Sequence, residues 1–142
     1  MTTQKPPTSR AETTRRSNSL VRACLDLLTY RGCLAVRVNN QPIAQRVGNV
    51  LVGYRKLDRY QPRGLPDIWA IAPGGRIVLV ECKSGSGRMS KDQLTFFAMA
   101  NEKGALCLCI HSVGELDRVC KLAADVGWSN AWIPQDDAKE ER

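Results

Sequence analysis

The fold of this chain is decided by residues 64–83, which read GLPDIWAIAPGGRIVLVECK. Two apolar runs flank the Pro-Gly-Gly turn at 73–75, a pattern that predicts a hairpin of two antiparallel strands. Asp67 opens the first run, and Glu81 and Lys83 close the second. Because a hairpin brings the start of one strand beside the end of the other, these charged side chains are expected to share one edge of a sheet.

The second strand of this hairpin is expected to be buried until its last residues. Successive side chains of a strand point to opposite faces. One face then carries Ile77, Leu79, Glu81 and Lys83, and the other carries Val78, Val80 and Cys82. A strand that is apolar on both faces is typical of a sheet covered by two layers. Glu81 and Lys83 therefore mark the point where the strand emerges into a cleft.

The remaining pattern predicts an α/β fold. Three helices are predicted over 17–31, 90–103 and 112–126, each starting at a serine and ending before a glycine. Further strands are predicted at 33–38 and 105–110. The resulting order is α-β-β-β-α-β-α. The hairpin requires an antiparallel pair, and the strand–helix–strand passage favours a parallel pair, so we expect a mixed β-sheet flanked by helices.

Length and composition indicate one globular domain. The chain has 142 residues, of which 43% are hydrophobic and 25% are charged, enough for one core without disulfides. We predict a flexible basic arm at residues 1–16, a single domain at 17–134 and a charged C-terminal tail at 135–142. The arm is rich in Thr, Pro and Arg and poor in apolar residues, as flexible segments are.

The net charge of +7 favours a polyanionic partner, because basic side chains that neutralise phosphates release counterions. Basic residues with interleaved tyrosines gather in the segment 41–63, which suits a nucleic-acid backbone and unstacked bases. A solvated basic loop would have the same composition, and this alternative stays open. The predicted nucleic-acid-binding residues are Arg46, Arg55, Lys56, Arg59, Arg63, Arg88 and Lys91.

The six cysteines predict neither a disulfide framework nor a zinc site, since they include no Cys-x-x-Cys pair and His111 is the only histidine. Buried, reduced thiols are typical of a cytosolic protein. The sequence has no apolar run long enough for a membrane span and no secretory leader. We therefore expect a cytoplasmic protein without a membrane partner. His111 follows an apolar strand and is predicted to lie outside the site.

The charged end of the hairpin has the composition of a magnesium site for phosphodiester hydrolysis. Mg²⁺ prefers hard oxygen ligands, typically one or two carboxylates with water and phosphate oxygens. Asp67 and Glu81 supply carboxylates, and the backbone carbonyl of Cys82 offers a third oxygen. Lys83 is then placed to orient or deprotonate the attacking water, or to stabilise the charged phosphate in the transition state.

These residues resemble a known motif. Pro66-Asp67, a gap of 13 residues and then Glu81-Cys82-Lys83 resemble the PD-(D/E)xK nuclease motif. With its flanks, the pattern is similar to the virus-type replication-repair nuclease (VRR-NUC) domain over roughly residues 17–116. The flanking matches are Gly64-Leu65 before the aspartate, Ile68 after it, Gly75-Arg76 in the turn, Val80 before the glutamate, Ser84-Gly85, Gly87-Arg88-Met89-Ser90, Gln93, Phe96 or Phe97, and Gly104.

The resemblance implies a restriction-endonuclease-like core and DNA cleavage that depends on Mg²⁺ or Mn²⁺. It also implies a preference for branched or flapped DNA, in some members a homodimer that resolves four-way junctions, and a single-domain protein of phage type acting in a bacterial or phage-infected cell. Asp67, Glu81 and Lys83 match the family's catalytic positions. Gln93 matches a helix glutamine near the site, and its spacing from Ser90 also fits a capping box.

One position departs from the family pattern. Family members often carry a metal-site glutamate early in the first helix, and the matching position here is Ser17. Either Glu12 replaces it through a helix that starts earlier, or the site has fewer acidic ligands. The gap keeps a second hypothesis open, a module of the same fold that binds branched DNA without cleaving it. A third is that Asp67, Glu81 and Lys83 form an ordinary ion-pair cluster at a strand edge.

Overall fold

The computed structural model describes residues 10–38, 44–54, 60 and 62–132. Its helices are α1 (Arg10–Tyr30), α2 (Lys91–Glu102) and α3 (Val113–Val126), followed by a 3₁₀ turn at Trp128–Asn130. Its strands are β1 (Leu34–Arg37), β2 (Ala44–Val47), β3 (Val50–Tyr54), β4 (Ile68–Ile71), β5 (Ile77–Cys82) and β6 (Leu106–Ile110). Across these described ranges, no helix is both long and apolar enough to cross a membrane.

The main sheet is built around the hairpin that the sequence predicts. Its strand order is β1-β4-β5-β6. β4 pairs with β1 and with β5 in antiparallel register, and β5 pairs with β6 in parallel register. The predicted α/β fold with a mixed sheet flanked by helices is therefore confirmed. In the β4–β5 register Ile68 lies opposite Val80, so Asp67 and Glu81 come next on the two strands.

Helices cover the sheet on both faces. Cys24 and Leu28 of α1 pack with Leu116 and Val119 of α3 on the face that carries Val78, Val80 and Cys82. On the other face Phe96, Phe97 and Ala100 of α2 pack against Leu79 and Cys107. The alternation predicted for β5 is thus the reason that this strand is buried between two layers.

Helix α1 begins at Arg10, seven residues before the start that we predicted at Ser17. The prediction was wrong because residues 10–16 carry no apolar stripe. The first turns instead gain local electrostatic support, since Glu12 lies near the helix N-terminus and pairs with Arg16 one turn later. The boundary predicted for the arm at residue 16 falls inside this helix, whereas residues 1–9 and the tail at 135–142 lie outside the described residues.

The basic segment 41–63, for which the sequence left alternatives open, contains a separate hairpin. β2 and β3 form a two-stranded antiparallel sheet joined at Gly48-Asn49, with Val47 opposite Val50. In the described part of the chain, this hairpin contacts none of the other helices and strands. β2 was missed because its residues do not alternate, although the two-residue Gly-Asn connection is itself a hairpin signal.

Replacing Gly64 tests the close packing between the segment that precedes β4 and the backbone of the first turn of α2. Gly64 has a φ of +81°, and a Cβ there would overlap the carbonyl carbon and oxygen of Asp92 and lie 2.6 Å from the Gln93 nitrogen. Gly64→Ala is expected to lower the unfolding free energy by about 2–4 kcal/mol, from left-handed strain and overpacking together. Thermal and urea unfolding measure this change.

Gly75→Ala is the matched control. Gly75 has a φ of +94°, and an added Cβ would meet nothing within 4 Å. It should therefore show only the conformational cost, about 1 kcal/mol. Equal losses in the two variants would contradict the packing argument.

Candidate active site at the end of the sheet

Asp67 is held by backbone contacts where the β4–β5 pairing ends. Its Oδ2 accepts a hydrogen bond of 2.9 Å from the Cys82 N–H, and its own carbonyl accepts one of 2.9 Å from the Val38 N–H. The Asp67 carboxylate therefore replaces the backbone carbonyl that would accept from the Cys82 N–H in a continued strand pair. This bond fixes the Asp67 side chain beside the end of β5.

Glu81 is a buried carboxylate at the end of β5, with 4% of the residue exposed. Its Oε1 accepts hydrogen bonds from Lys83 Nζ at 2.8 Å and from Gln93 Nε2 at 2.7 Å. Its Oε2 is buried and has no hydrogen-bond partner among the described residues. Burial raises the pKa of the Glu81 carboxyl, the hydrogen bond from Lys83 opposes this rise, and the charge of Asp67 adds to it. A proton or a cation would satisfy Oε2.

Gln93 forms the capping box considered from sequence and also contacts Glu81. Its backbone N–H donates to Ser90 Oγ at 3.2 Å, while its Oε1 accepts from the Ser90 N–H at 2.8 Å, which completes the capping box of α2. The side-chain nitrogen of Gln93, Nε2, donates to Glu81 Oε1. The helix cap therefore orients a hydrogen-bond donor toward the carboxylate.

A cleft between α1 and the end of the sheet gives access to these residues. One cavity of about 680 Å³ extends from Asp67 toward Gly64 and the start of α2. A second, of about 580 Å³, extends from Asp67 over Glu81 and Lys83. The two cavities share the same four lining residues, Thr14, Asn18, Arg37 and Asp67.

Ser17, which the resemblance matches to the family's helix glutamate, lines the second cavity. Glu12 lines neither cavity, because it lies on a different face of α1, where it pairs with Arg16. The earlier helix start therefore does not bring Glu12 into the cleft. Within the described ranges there is no group of three or more His, Cys, Asp or Glu side chains suited to a metal ion.

Cys82 ends β5 between Glu81 and Lys83. Its side chain is buried in the core against α1, while the residue lines the second cavity. The predicted use of its carbonyl is compatible with this placement. Acidic side chains come to the site only from Asp67 and Glu81 among the described residues that line the second cavity.

The predicted nucleic-acid-binding residues are spread over the surface. Arg63, Arg88 and Lys91 are exposed, and Arg46 lies on the β2–β3 hairpin, where it donates to the Asn49 carbonyl at 3.4 Å. None of the four lines either cavity. Arg55, Lys56 and Arg59 lie outside the described residues, and their role stays a prediction.

Arg37 and Asn18 are cleft residues that the sequence reasoning missed. Arg37 Nη2 donates to Asn18 Oδ1 at 2.6 Å, and both side chains line both cavities. A partial signal was present for Arg37, since the strand predicted at 33–38 turns polar at its end. Pairing between β1 and β4 was needed to place it in the cleft.

The comparisons with known proteins bear on the fold. No protein-family model matches the chain, and no curated protein matches it. A solved structure described as a VRR_NUC domain matches with a TM-score of 0.53 and 17% sequence identity, over 75% of this chain and 95% of that one. The chain has the VRR-NUC fold. At this identity the match is one of fold, and it agrees with the resemblance seen in the motif.

The buried glutamate of this VRR-NUC fold should leave a signature in pH-dependent stability. A raised folded-state pKa means that the folded protein holds the Glu81 proton more tightly than the unfolded chain does. Ionisation therefore lowers the unfolding free energy as the pH rises above the ordinary glutamate value of about 4.3. In a chelating buffer, Glu81→Gln should melt above the parent at pH 8, and this advantage should vanish near pH 4.

Asp117 provides a control of opposite sign. Hydrogen bonds from Lys121 and Arg31 lower the pKa of its carboxyl. Asp117→Asn should therefore melt below the parent at pH 8 and approach it as the pH falls through the lowered pKa. A Glu81→Gln variant that melts with the parent at every pH would contradict the assigned burial cost.

Proposed function

We propose that this protein is a metal-dependent DNA endonuclease that hydrolyses phosphodiester bonds. The observation that carries the proposal is the Glu81 carboxylate, buried at the floor of a cleft with one oxygen held by Lys83 and Gln93 and the other without a partner among the described residues. An ordinary ion pair at a strand edge would not need two donors on one oxygen and none on the other. The VRR-NUC fold supports the same proposal.

Mg²⁺, with Mn²⁺ as a substitute, fits the donor set. Asp67 and Glu81 would hold the ion, together with the backbone carbonyl of Cys82. Bound there, the ion would neutralise phosphate charge and lower the pKa of a water molecule. Two carboxylates suffice for one Mg²⁺, which usually keeps several waters and binds substrate phosphate oxygens. We therefore propose a site for a single ion.

Side chains of the protein would orient the carboxylate, the attacking water and the phosphate. Gln93 and Lys83 fix the Glu81 carboxylate through Oε1, which leaves Oε2 for the ion. The Lys83 ammonium, one-fifth exposed, faces the cleft, where it would orient the attacking water and stabilise charge on the phosphate. Burial of the site beneath α1 strengthens these electrostatic contacts.

The substrate that we propose is branched, flapped or four-way DNA met during replication, recombination or repair. Support comes from the net charge of +7 and from the family resemblance. The alternative is a module of the same fold that binds branched DNA and cleaves it weakly or not at all. Ser17 in place of an acid on α1 favours that alternative, since it removes one ligand from the cleft.

A substrate panel tests the proposal. Purified protein is incubated with duplex, flap, splayed and four-way DNA in Mg²⁺ or Mn²⁺. Lys83→Ala is expected to cleave about 10²–10⁴-fold more slowly than the parent, because it removes a charged donor from the reacting phosphate. Mg²⁺ should also raise the melting temperature of the parent and leave that of Glu81→Gln unchanged.

Lys121→Ala is the control, since Lys121 is an exposed lysine on α3 that pairs with Asp117. It should cleave as the parent does. Full activity in Lys83→Ala would overturn the assignment. Salt-sensitive DNA binding without cleavage in either metal would establish the binding module instead.

We also propose that two copies of this chain associate through the open face of the sheet. Beyond the part covered by α2, this face exposes 37–66% of each of five large apolar residues, Leu34, Val36, Trp69, Ile71 and Ile77. The β2–β3 hairpin exposes another apolar group, Val47, Val50, Leu51, Val52 and Tyr54. The five residues on the open face of the main sheet lie side by side on β1, β4 and β5, and a contiguous exposed apolar patch of this kind marks an interaction surface.

Matched valine substitutions test this association. Val36 lies on the open face and is 52% exposed, whereas Val126 ends α3 and is 37% exposed. Val36→Lys should convert a dimeric parent into a monomer in sedimentation at about 10 μM, because the ammonium would be buried without a partner. Val126→Lys should remain dimeric. A monomeric parent at this concentration, or a dimeric Val36→Lys, would contradict the proposal.

A further inference from the structure

The cleft contains an arginine that the proposed cleavage chemistry does not use. Arg37 is the last residue of β1, which pairs with β4, and Asp67 immediately precedes β4. Arg37 lines both cavities. Glu81 and Lys83 line only the second cavity, on the β5 side of the cleft. Arg37 therefore lies where the two halves of the cleft meet.

The guanidinium of Arg37 is oriented by a neutral group. Asn18 Oδ1 accepts from Arg37 Nη2 at 2.6 Å, and Asn18 is carried by α1. Across the described residues no carboxylate forms an ion pair with Arg37. Because an amide acceptor orients a guanidinium without neutralising it, the positive charge stays available in the cleft.

The shape of the cleft suggests what this charge meets. The two cavities share Thr14, Asn18, Arg37 and Asp67 and extend in different directions from them, one toward α2 and one over Lys83. A chain molecule that crosses the cleft from one cavity to the other must therefore pass Arg37 and Asp67 together. A DNA strand with a phosphate at each nucleotide is such a molecule.

We propose that Arg37, positioned by Asn18, binds the phosphate that neighbours the scissile one in a DNA strand lying along both cavities. This inference rests on the proposed function, because it names the substrate contact of the same site. Guanidinium groups bind phosphate through two parallel hydrogen bonds, and Asn18 occupies only one of the five N–H donors of Arg37. Asn18 acts through Arg37 and is a positioning residue.

Binding without metal tests the proposal separately from cleavage. Affinity for a fluorescent single-stranded DNA of about 12 nucleotides is measured by anisotropy in EDTA over a range of salt. Arg37→Ala is expected to bind about tenfold more weakly than the parent, and the slope of log K against log salt should fall by about 0.7 to 1. Losing one phosphate contact produces both changes.

Two further variants separate the charge from its placement. Arg37→Lys should keep the salt slope of the parent and recover only part of its affinity, since an ammonium does not bind phosphate in a fixed two-point geometry. Asn18→Ala should bind a few-fold more weakly with the slope unchanged, because the guanidinium is still present. Thermal melting of each variant confirms that it is folded.

Arg15→Ala is the matched control, because Arg15 is an exposed arginine of α1 that lines neither cavity. It should keep the affinity and salt slope of the parent. Equal affinity and slope in Arg37→Ala and Arg15→Ala would overturn the proposal, as would a parent that does not bind the single strand.

Kinetics distinguish this inference from the proposed function. In Mg²⁺, Arg37→Ala should raise KM several-fold more than it lowers kcat. A parent that binds DNA through Arg37 but cleaves none would refute the nuclease proposal and leave the phosphate site standing. A parent that cleaves DNA while Arg37→Ala keeps its KM and salt slope would refute the phosphate site alone.

Discussion

The buried Glu81 carboxylate is the constraint on which the rest of the structure depends. An ionised group with 4% exposure needs hydrogen-bond donors, and the two that reach Oε1 come from different elements. Lys83 follows two residues later on the same face of the strand, and Gln93 comes from the first turn of α2. Since Gln93 also caps that helix, the position of α2 and the orientation of the carboxylate are set by one residue.

The apolar sheet makes this arrangement tolerable. Val78, Leu79 and Val80 are almost completely buried, and β6 continues to hold the backbone past the end of β5 through the Lys83 N–H and the Ile110 carbonyl, 2.9 Å apart. The hydrophobic burial on both faces stabilises a strand whose end is electrostatically unfavourable. An oxygen without a partner among the described residues is the kind of local cost that proteins keep at functional sites.

Features encoded by residues close together in the sequence could be predicted, whereas features that depend on long-range pairing could not. The β4–β5 hairpin and the burial of β5 between two layers follow from turns and periodicity, and the structure confirms them. The first turns of α1 were not predictable from apolar periodicity, because Glu12 and Arg16 support them by charge. Arg37 and Asn18 were missed because β1 and α1 meet the site only through long-range pairing.

The composition of the α1 side of the cleft bears on the metal chemistry. Ser17 and Asn18 offer neutral oxygen and nitrogen atoms there, while Arg37 adds a positive charge. Across the two cavities the three acids Asp67, Glu81 and Asp92 are balanced by the three bases Arg10, Arg37 and Lys83, so that one bound divalent ion would give the cleft a net positive charge. A phosphodiester is attracted to such a site, and a further acid at position 17 would weaken that attraction. The missing helix acid is therefore compatible with a single-ion site whose positive charge comes partly from Arg37.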